Sequence, residues 1–206
     1  MTESWKPVLI LMKGHPGSGK STVARCLSEL TRICIIDKDD ARDCLTSLQS
    51  FADTTKVNLN ALSYGIMWRY AQTQLLCRNS VIIDCPLARI ELFEEAKCMA
   101  EQASAILIVV ECLASDVAVW QSRLEARASI EADTNKLHKP NSWADLQALL
   151  ERYNGCDKWN GTTDIENYIS IDTTTGQSPQ EVSAGLVNTL ASKGLVQLSR
   201  DAGRRM

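Results

Sequence analysis

Gly14-His15-Pro16-Gly17-Ser18-Gly19-Lys20-Ser21, followed by Thr22, is the stretch whose reading decides the fold. It fits G-x-x-x-x-G-K-[ST], the phosphate-cradling P-loop pattern. Before it, Val8-Leu9-Ile10-Leu11-Met12 is an apolar run short enough to be a buried strand. After it, Val23, Leu27 and Leu30 stand at helical spacing, so a helix is expected over 22–30. Strand, glycine loop, helix is the order that this motif requires. Glycine lets the backbone turn tightly and bring successive N–H groups toward a polyphosphate. The positive end of the following helix points at the same anion. In such a loop Lys20 reaches the β- and γ-phosphates and the Ser21 hydroxyl ligates Mg²⁺. The expected ligands are therefore ATP and Mg²⁺, ATP being the default because no guanine-reading motif is present. A glycine turn that merely packs is the alternative.

Working outward, short apolar runs alternate with helical patterns. Strands are expected at 33–36, 81–84, 105–110 and 168–172, the last four residues of the third run being Val81-Ile82-Ile83-Asp84. Helices are expected from Ala41 to Leu48, Val57 to Cys77 (with Leu62, Ile66 and Tyr70 on one face), and over 88–103, 115–132, 142–153 and 179–192. Residues 50–56 read as a polar link and 154–166 as an irregular loop. Strand–helix alternation over one domain means a mostly parallel sheet covered by helices on both faces. In such sheets the ligand lies outside the carboxyl ends of the strands. Those ends carry the P-loop, then Asp37, Asp39 and Asp40, then Asp84, so phosphate-binding and acidic features converge on one edge.

Asp84 ends an Ile-rich strand, which suits a carboxylate supporting a metal-bound water, although aspartate there is also a common turn-former. One of Asp37, Asp39 and Asp40 could take the proton of an acceptor hydroxyl, and Asp39 is the favoured base. The alternative is that Asp39 or Asp40 simply caps the next helix. Arg123 and Arg127, four apart, share a helix face. Together with the polar break at His138-Lys139-Pro140 they are expected to form a closing lid over about 123–141, or else a solvated surface helix. His15 is expected to matter through its backbone, and most of the five tryptophans through packing.

The bulk numbers bound the class. With 206 residues the chain is expected to be one domain, and 45% hydrophobic with 23% charged residues is a globular balance. A net charge of −3 gives no global attraction for nucleic acid. The eight cysteines show no C-x-x-C pairing and read as reduced, small apolar residues in a cytoplasmic compartment. No apolar run is long enough to span a membrane. A strand beginning at Val8 is expected to leave no space for a targeting peptide, and the tail over about 195–206 to be flexible.

On Gly14–Thr22, Asp37-Lys38-Asp39-Asp40-Ala41-Arg42, Val81–Pro86 and Arg123-Leu124-Glu125-Ala126-Arg127, the chain resembles the small P-loop kinases. These include the shikimate, gluconate and adenylyl-sulfate kinases and the kinase domains of polynucleotide kinases. Cys85-Pro86-Leu87-Ala88-Arg89 and His138-Lys139-Pro140-Asn141-Ser142-Trp143 look like pieces of an uncharacterised ATP-binding subgroup. The resemblance implies the three-layer α/β P-loop NTPase fold, with a parallel sheet in order 2-3-1-4-5. It also implies ATP-dependent phosphorylation of a hydroxyl. Asp39 then falls on the general base and Asp37 near the metal, Arg123 or Arg127 supplies the lid arginine, and Thr173 in the turn 172–176 borders the adenine. Arg42 falls where polynucleotide kinases hold a substrate phosphate. A small-molecule hydroxyl acceptor is nevertheless favoured over a nucleic-acid 5′-hydroxyl. A nucleotide-gated switch or slow ATPase is the reading from a different class. The acceptor and the oligomeric state are not legible.

Overall fold

The computed structural model describes residues 5–131, 139–159 and 165–196. Five parallel strands, β1 (Val8–Lys13), β2 (Cys34–Asp37), β3 (Val81–Asp84), β4 (Ile106–Leu113) and β5 (Tyr168–Asp172), form one sheet in the order β2-β3-β1-β4-β5. The expected sheet and its order are both found. The chain leaves β1 toward one edge and later crosses to its other side. A crevice therefore opens at the carboxyl end of β1, where ligands of such sheets bind.

Alternation along the central strand splits the core into two layers. Val8, Ile10 and Met12 face α1 (Lys20–Thr31) and α8 (Pro179–Ser192), meeting Val23, Leu27, Leu186 and Leu190. Leu9 and Leu11 face the opposite side, against Met67, Trp68, Ala71 and Leu75 of α4 (Leu59–Leu76) and Phe93 and Ala96 of α5 (Ile90–Gln102). Leu9 through Met12 are wholly buried. Each such side chain contributes about 1.5–3 kcal/mol relative to exposure, which makes β1 a rigid base for the loop that leaves it.

Several elements differ from the sequence expectations. α2 (Lys38–Cys44) begins three residues early, because the Asp37 carboxylate caps it by accepting the Asp39 N–H at 2.8 Å. The helix expected to reach Leu48 ends at Cys44 and gives way to a 3-10 turn, Thr46–Leu48, and the polar link expected over 50–56 is instead mostly helix, α3 (Gln49–Thr55). Asn58 caps α4 by accepting the Ala61 N–H, so that helix starts at Leu59 rather than Val57. The face of α4 was also misread: Leu62 and Tyr70 are exposed, while Leu59, Ser63, Met67, Trp68, Ala71 and Leu75 are buried. Apolar residues surround that helix, so spacing could not choose the face. A Cβ added at Gly65 would meet nothing within 4 Å, so that glycine marks no close packing.

Of the tryptophans, Trp68 is buried and Trp5 exposed. All eight cysteines are free, with Cys26, Cys85 and Cys112 buried. The reading of the cysteines as small apolar residues fits those three, whereas Cys34, on the edge strand β2, and Cys44, Cys77, Cys98 and Cys156 are exposed. Leu195 and Val196 pack on the α1/α8 core, whereas 197–206, like His138, lie outside the described residues. The remaining helices are α6 (Val117–Glu131) and α7 (Trp143–Tyr153).

Candidate active site

The loop from Gly14 to Gly19 joins β1 to α1, and α1 begins at Lys20 itself, so Lys20 and Ser21 occupy its first turn. Two glycines are required by geometry. At Gly14 (φ +149°) a Cβ would lie 2.6 Å from the Ser18 hydroxyl and 2.7 Å from the Cys112 carbonyl oxygen. At Gly19 (φ +82°) it would lie 3.2 Å from Thr173 Oγ1 in a left-handed conformation. The loop is held from outside by long-range bonds. The Gly14 N–H donates to the Pro86 carbonyl at 3.2 Å, the Trp120 indole N–H to the Pro16 carbonyl at 2.8 Å, and the Thr173 hydroxyl to the Ser18 carbonyl at 2.7 Å.

A cavity of about 460 Å³ opens beside this loop, within the range of ordinary small-molecule sites. His15, Pro16, Gly17, Gly19, Lys20, Ser21 and Thr22 line it from the loop side. Asp37, Asp39, Asp40 and Asp43 line it from the end of β2 and from α2, and Arg123, Arg127, Lys139 and Thr173 from the opposite wall. The structure thus brings together most of the residues singled out in the sequence. Gly14 and Ser18 instead line a smaller cavity of about 350 Å³ behind the loop, where Ser18 is buried. Arg42 is not among the lining residues; its Nη2 donates to Gln49 Oε1 at 2.7 Å.

Charge is concentrated at the floor. Asp37 and Asp84 are register partners on β2 and β3, and Asp84 is buried. The Lys20 ammonium lies 3.1 Å from Asp84 Oδ1. Burial alone would lower the Lys20 pKa, but the charge and hydrogen bond of Asp84, with Asp39 beyond, hold it above its ordinary value. Burial, and then the neighbouring charge of Asp84, push the Asp37 carboxyl up to about 6, against the opposing hydrogen bond from the Asp39 N–H. Asp39 is not the helix cap. Its two oxygens meet Lys38 Nζ at 2.7 Å and Lys139 Nζ at 3.0 Å.

The residues fit Mg²⁺ as that ion is ordinarily held, by one or two carboxylates, nucleotide phosphates and water. Ser21 and Asp37 line the cavity, and Asp84 stands behind Asp37. Two adjacent carboxyls, one of them raised by burial and then by the charge of the other, form a donor set that a divalent cation would relieve. Among the described residues no group of three or more His, Cys, Asp or Glu side chains forms a metal cage, so phosphate oxygens would have to complete the coordination.

Both arginines are engaged in the wall rather than extended over the loop. Arg123 donates from Nη1 to Thr173 Oγ1 at 3.0 Å and from Nη2 to the Thr173 carbonyl at 2.8 Å. Arg127 Nη2 donates to the Pro140 carbonyl at 2.8 Å. Part of the expected lid, 132–138, lies outside the described residues.

Sequence reasoning missed the contacts of three residues. Lys139 reaches Asp39; the His15 ring stacks on Trp120 and Tyr153 at 5.9 and 6.1 Å and meets Asp157 at 3.2 Å; and Trp120 bonds the loop. Burial lowers the His15 pKa despite Asp157. The only signal for these contacts was composition, with a histidine inside the glycine loop and tryptophans near arginines.

Loop, sheet order and cavity together define a P-loop nucleotide-binding protein with the architecture of the small P-loop kinases. A family model described as an AAA domain matches residues 9–152, and the chain belongs to that family. It is 31% identical over 134 residues to uncharacterized proteins of Mycobacterium tuberculosis and Mycobacterium bovis, a stretch covering 61% of this chain and 26% of each relative. The chain thus matches about a quarter of the length of those relatives. Among solved structures it is similar to a candidate kinase from Chloroflexus aurantiacus, with a TM-score of 0.65 at 20% identity, covering 92% of this chain and 99% of that one. It is also similar to the shikimate kinase of Acinetobacter baumannii, with a TM-score of 0.57 at 17% identity, covering 92% and 96% respectively. At such identities the likeness establishes the fold. No helix among the described residues is long and apolar enough to cross a membrane.

Proposed function

We propose that the protein is an ATP-dependent kinase, a single domain over residues 1–206, that transfers the γ-phosphoryl group to a hydroxyl of a small molecule. One observation carries this reading: Lys20 and Ser21 of the loop share one cavity with Asp37 and Asp39. A protein that only senses nucleotide needs the first pair and has no use for a carboxylate held at the acceptor side. Loop N–H groups and the α1 terminus would hold the phosphates, with Thr173 toward the base. Ser21, Asp37 and Asp84 would hold Mg²⁺, which when bound supplies positive charge to the phosphate oxygens.

The chain's own part is positioning and proton transfer. Lys20 neutralises charge on the transferring group, and Arg123 and Arg127 hold the wall of the same cavity. Asp39 takes the acceptor proton as the new O–P bond forms and the bond to the departing ADP breaks. The similar shikimate kinase supports a small acceptor as precedent. Arg42, turned to Gln49, and the −3 net charge weigh against a polynucleotide end. Eight free cysteines suit a reducing, cytoplasmic compartment.

The test is a metabolite screen for ATP consumption with identification of the product, alongside 5′-hydroxyl oligonucleotides and labelled ATP. Asp39→Asn is expected to keep the calorimetric heat of Mg·ATP binding and to lose about 10²–10⁴-fold in transfer. Full transfer by that variant would remove Asp39 from the role. Hydrolysis unchanged in that variant, with partner affinity set by nucleotide, would favour a switch.

A further inference from the structure

Lys139 stands on the turn into α7 and lines the cavity that holds Lys20 and Ser21. Its ammonium lies 3.0 Å from Asp39 Oδ2. The other oxygen of Asp39 belongs to Lys38, but Lys38 is a different kind of cation. It is buried and does not line the cavity, and it is shared with Asn60 Oδ1 at 3.2 Å and the Tyr64 ring at 5.6 Å. Lys38 fixes the carboxylate from behind, and Lys139 meets it from the reacting side.

The turn bearing Lys139 is built to hold it there. Arg127 donates to the carbonyl of the next residue, Pro140. The Asp145 carboxylate accepts the N–H groups of Asn141 at 3.3 Å and Ser142 at 3.1 Å, and the Ser142 hydroxyl accepts the Asp145 N–H, closing a capping box. Trp143, the next residue, packs edge-on against Trp120 at 5.4 Å, and Trp120 holds the Pro16 carbonyl of the phosphate loop. Loop and lysine are thus referenced to one another through two indoles.

Resting on the kinase reading above, we infer that Lys139, rather than a guanidinium, is the catalytic cation on the acceptor side, and that Arg127 is a positioning residue acting through Pro140. Before transfer the ammonium pairs with the ionised Asp39. During transfer the acceptor oxygen bonds to phosphorus, the bond from phosphorus to the departing ADP oxygen breaks, and the acceptor proton passes to Asp39. That proton neutralises the partner of Lys139 as charge gathers on the phosphoryl oxygens in the same cavity. The ammonium keeps its own protons and moves its interaction from carboxylate to phosphoryl.

The experiment needs no acceptor. Calorimetry with Mg·ADP, with and without aluminium fluoride as the mimic of the transferring group, is run on wild type, Lys139→Ala, Lys139→Arg and Arg127→Ala. Lys139→Ala is expected to bind Mg·ADP within about twofold of wild type, and to lose on the order of tenfold or more of the tightening that aluminium fluoride confers. Lys139→Arg should recover part of that loss, which a purely structural role would not predict. Arg127→Ala should lose less than Lys139→Ala. Undiminished tightening in Lys139→Ala, a larger loss in Arg127→Ala, or no tightening in a wild type that holds Mg·ADP each overturns the assignment. A folded wild type that does not bind Mg·ADP overturns the kinase reading beneath it.

Discussion

The phosphate-loop side of the cavity and the segment beyond α2 are built differently. On the nucleotide side, backbone groups of the loop are held by partners distant in sequence: Pro16 by Trp120, Ser18 by Thr173, Gly14 by Pro86. In the segment beyond the end of α2, the polar bonds are short-range, as between Arg42 and Gln49 and between Gln49 and Asp53. Apolar residues there stay exposed, Phe51 at 62% and Tyr70 at 62%. A loop fixed from several directions keeps its shape when surface residues change. A segment fixed by local bonds can be rebuilt without disturbing the sheet. On the kinase reading proposed above, the chemistry shared with other P-loop proteins falls to the rigid side, and acceptor choice to the segment that can vary.

That contrast can be broken most forcefully at Lys20. Lys20→Ala is expected to raise the transfer barrier by about 3–4 kcal/mol, as for other preorganised charge donors, read as turnover once the acceptor is identified. Turnover within tenfold of wild type would mean that the loop is not the seat of the reaction. Next comes Thr173, whose side chain meets both the Ser18 carbonyl and Arg123. Thr173→Val strands both partners and is expected to cost about 1–3 kcal/mol in chemical denaturation, with weaker Mg·ATP binding. Thr173→Ser should restore most of it.

Tyr70→Ser, on the exposed face of α4, should stay within about 0.5 kcal/mol of wild type and leave Mg·ATP binding unchanged. A large destabilisation there would erase the distinction between the two sides. The smallest effect is on acid stability. Hydrogen bonds from the Ser115 hydroxyl, then the Thr174 hydroxyl and N–H, hold the Asp172 carboxyl down from 3.8 to about 2. A depressed carboxylate stabilises the fold above its unfolded value, and that contribution fades as pH falls through its folded value. Melting temperatures should therefore drop between about pH 4 and 2 more steeply in wild type than in Asp172→Asn. Parallel curves would show that the turn after β5 contributes nothing.

How legible each side was in the sequence follows the same division. Gly14–Thr22 could be read because a phosphate loop needs particular residues at fixed spacing, and the strand ahead of it because β1 is buried on both faces. The convergence of Asp37, Asp39 and Asp84 could be read because strand ends in a parallel sheet come together by topology. The helix over 50–55 escapes the sequence reading because polar residues with scattered apolar ones show no dominant period, and an exposed helix needs none. The face of α4 was lost for the opposite reason, an excess of apolar residues. The pairing of Lys139 with Asp39 had no local signature at all, since it joins residues a hundred positions apart.

The hydrogen bond from the Trp120 indole to Pro16 gives the molecule an optical handle that nobody has to engineer. Indole emission depends on what its N–H donates to, and here the acceptor is the backbone of the phosphate loop. Whatever shifts that carbonyl as nucleotide enters or leaves is expected to change the emission of Trp120, one of five tryptophans, so the part of the emission that Trp120→Phe removes follows the loop without an added label.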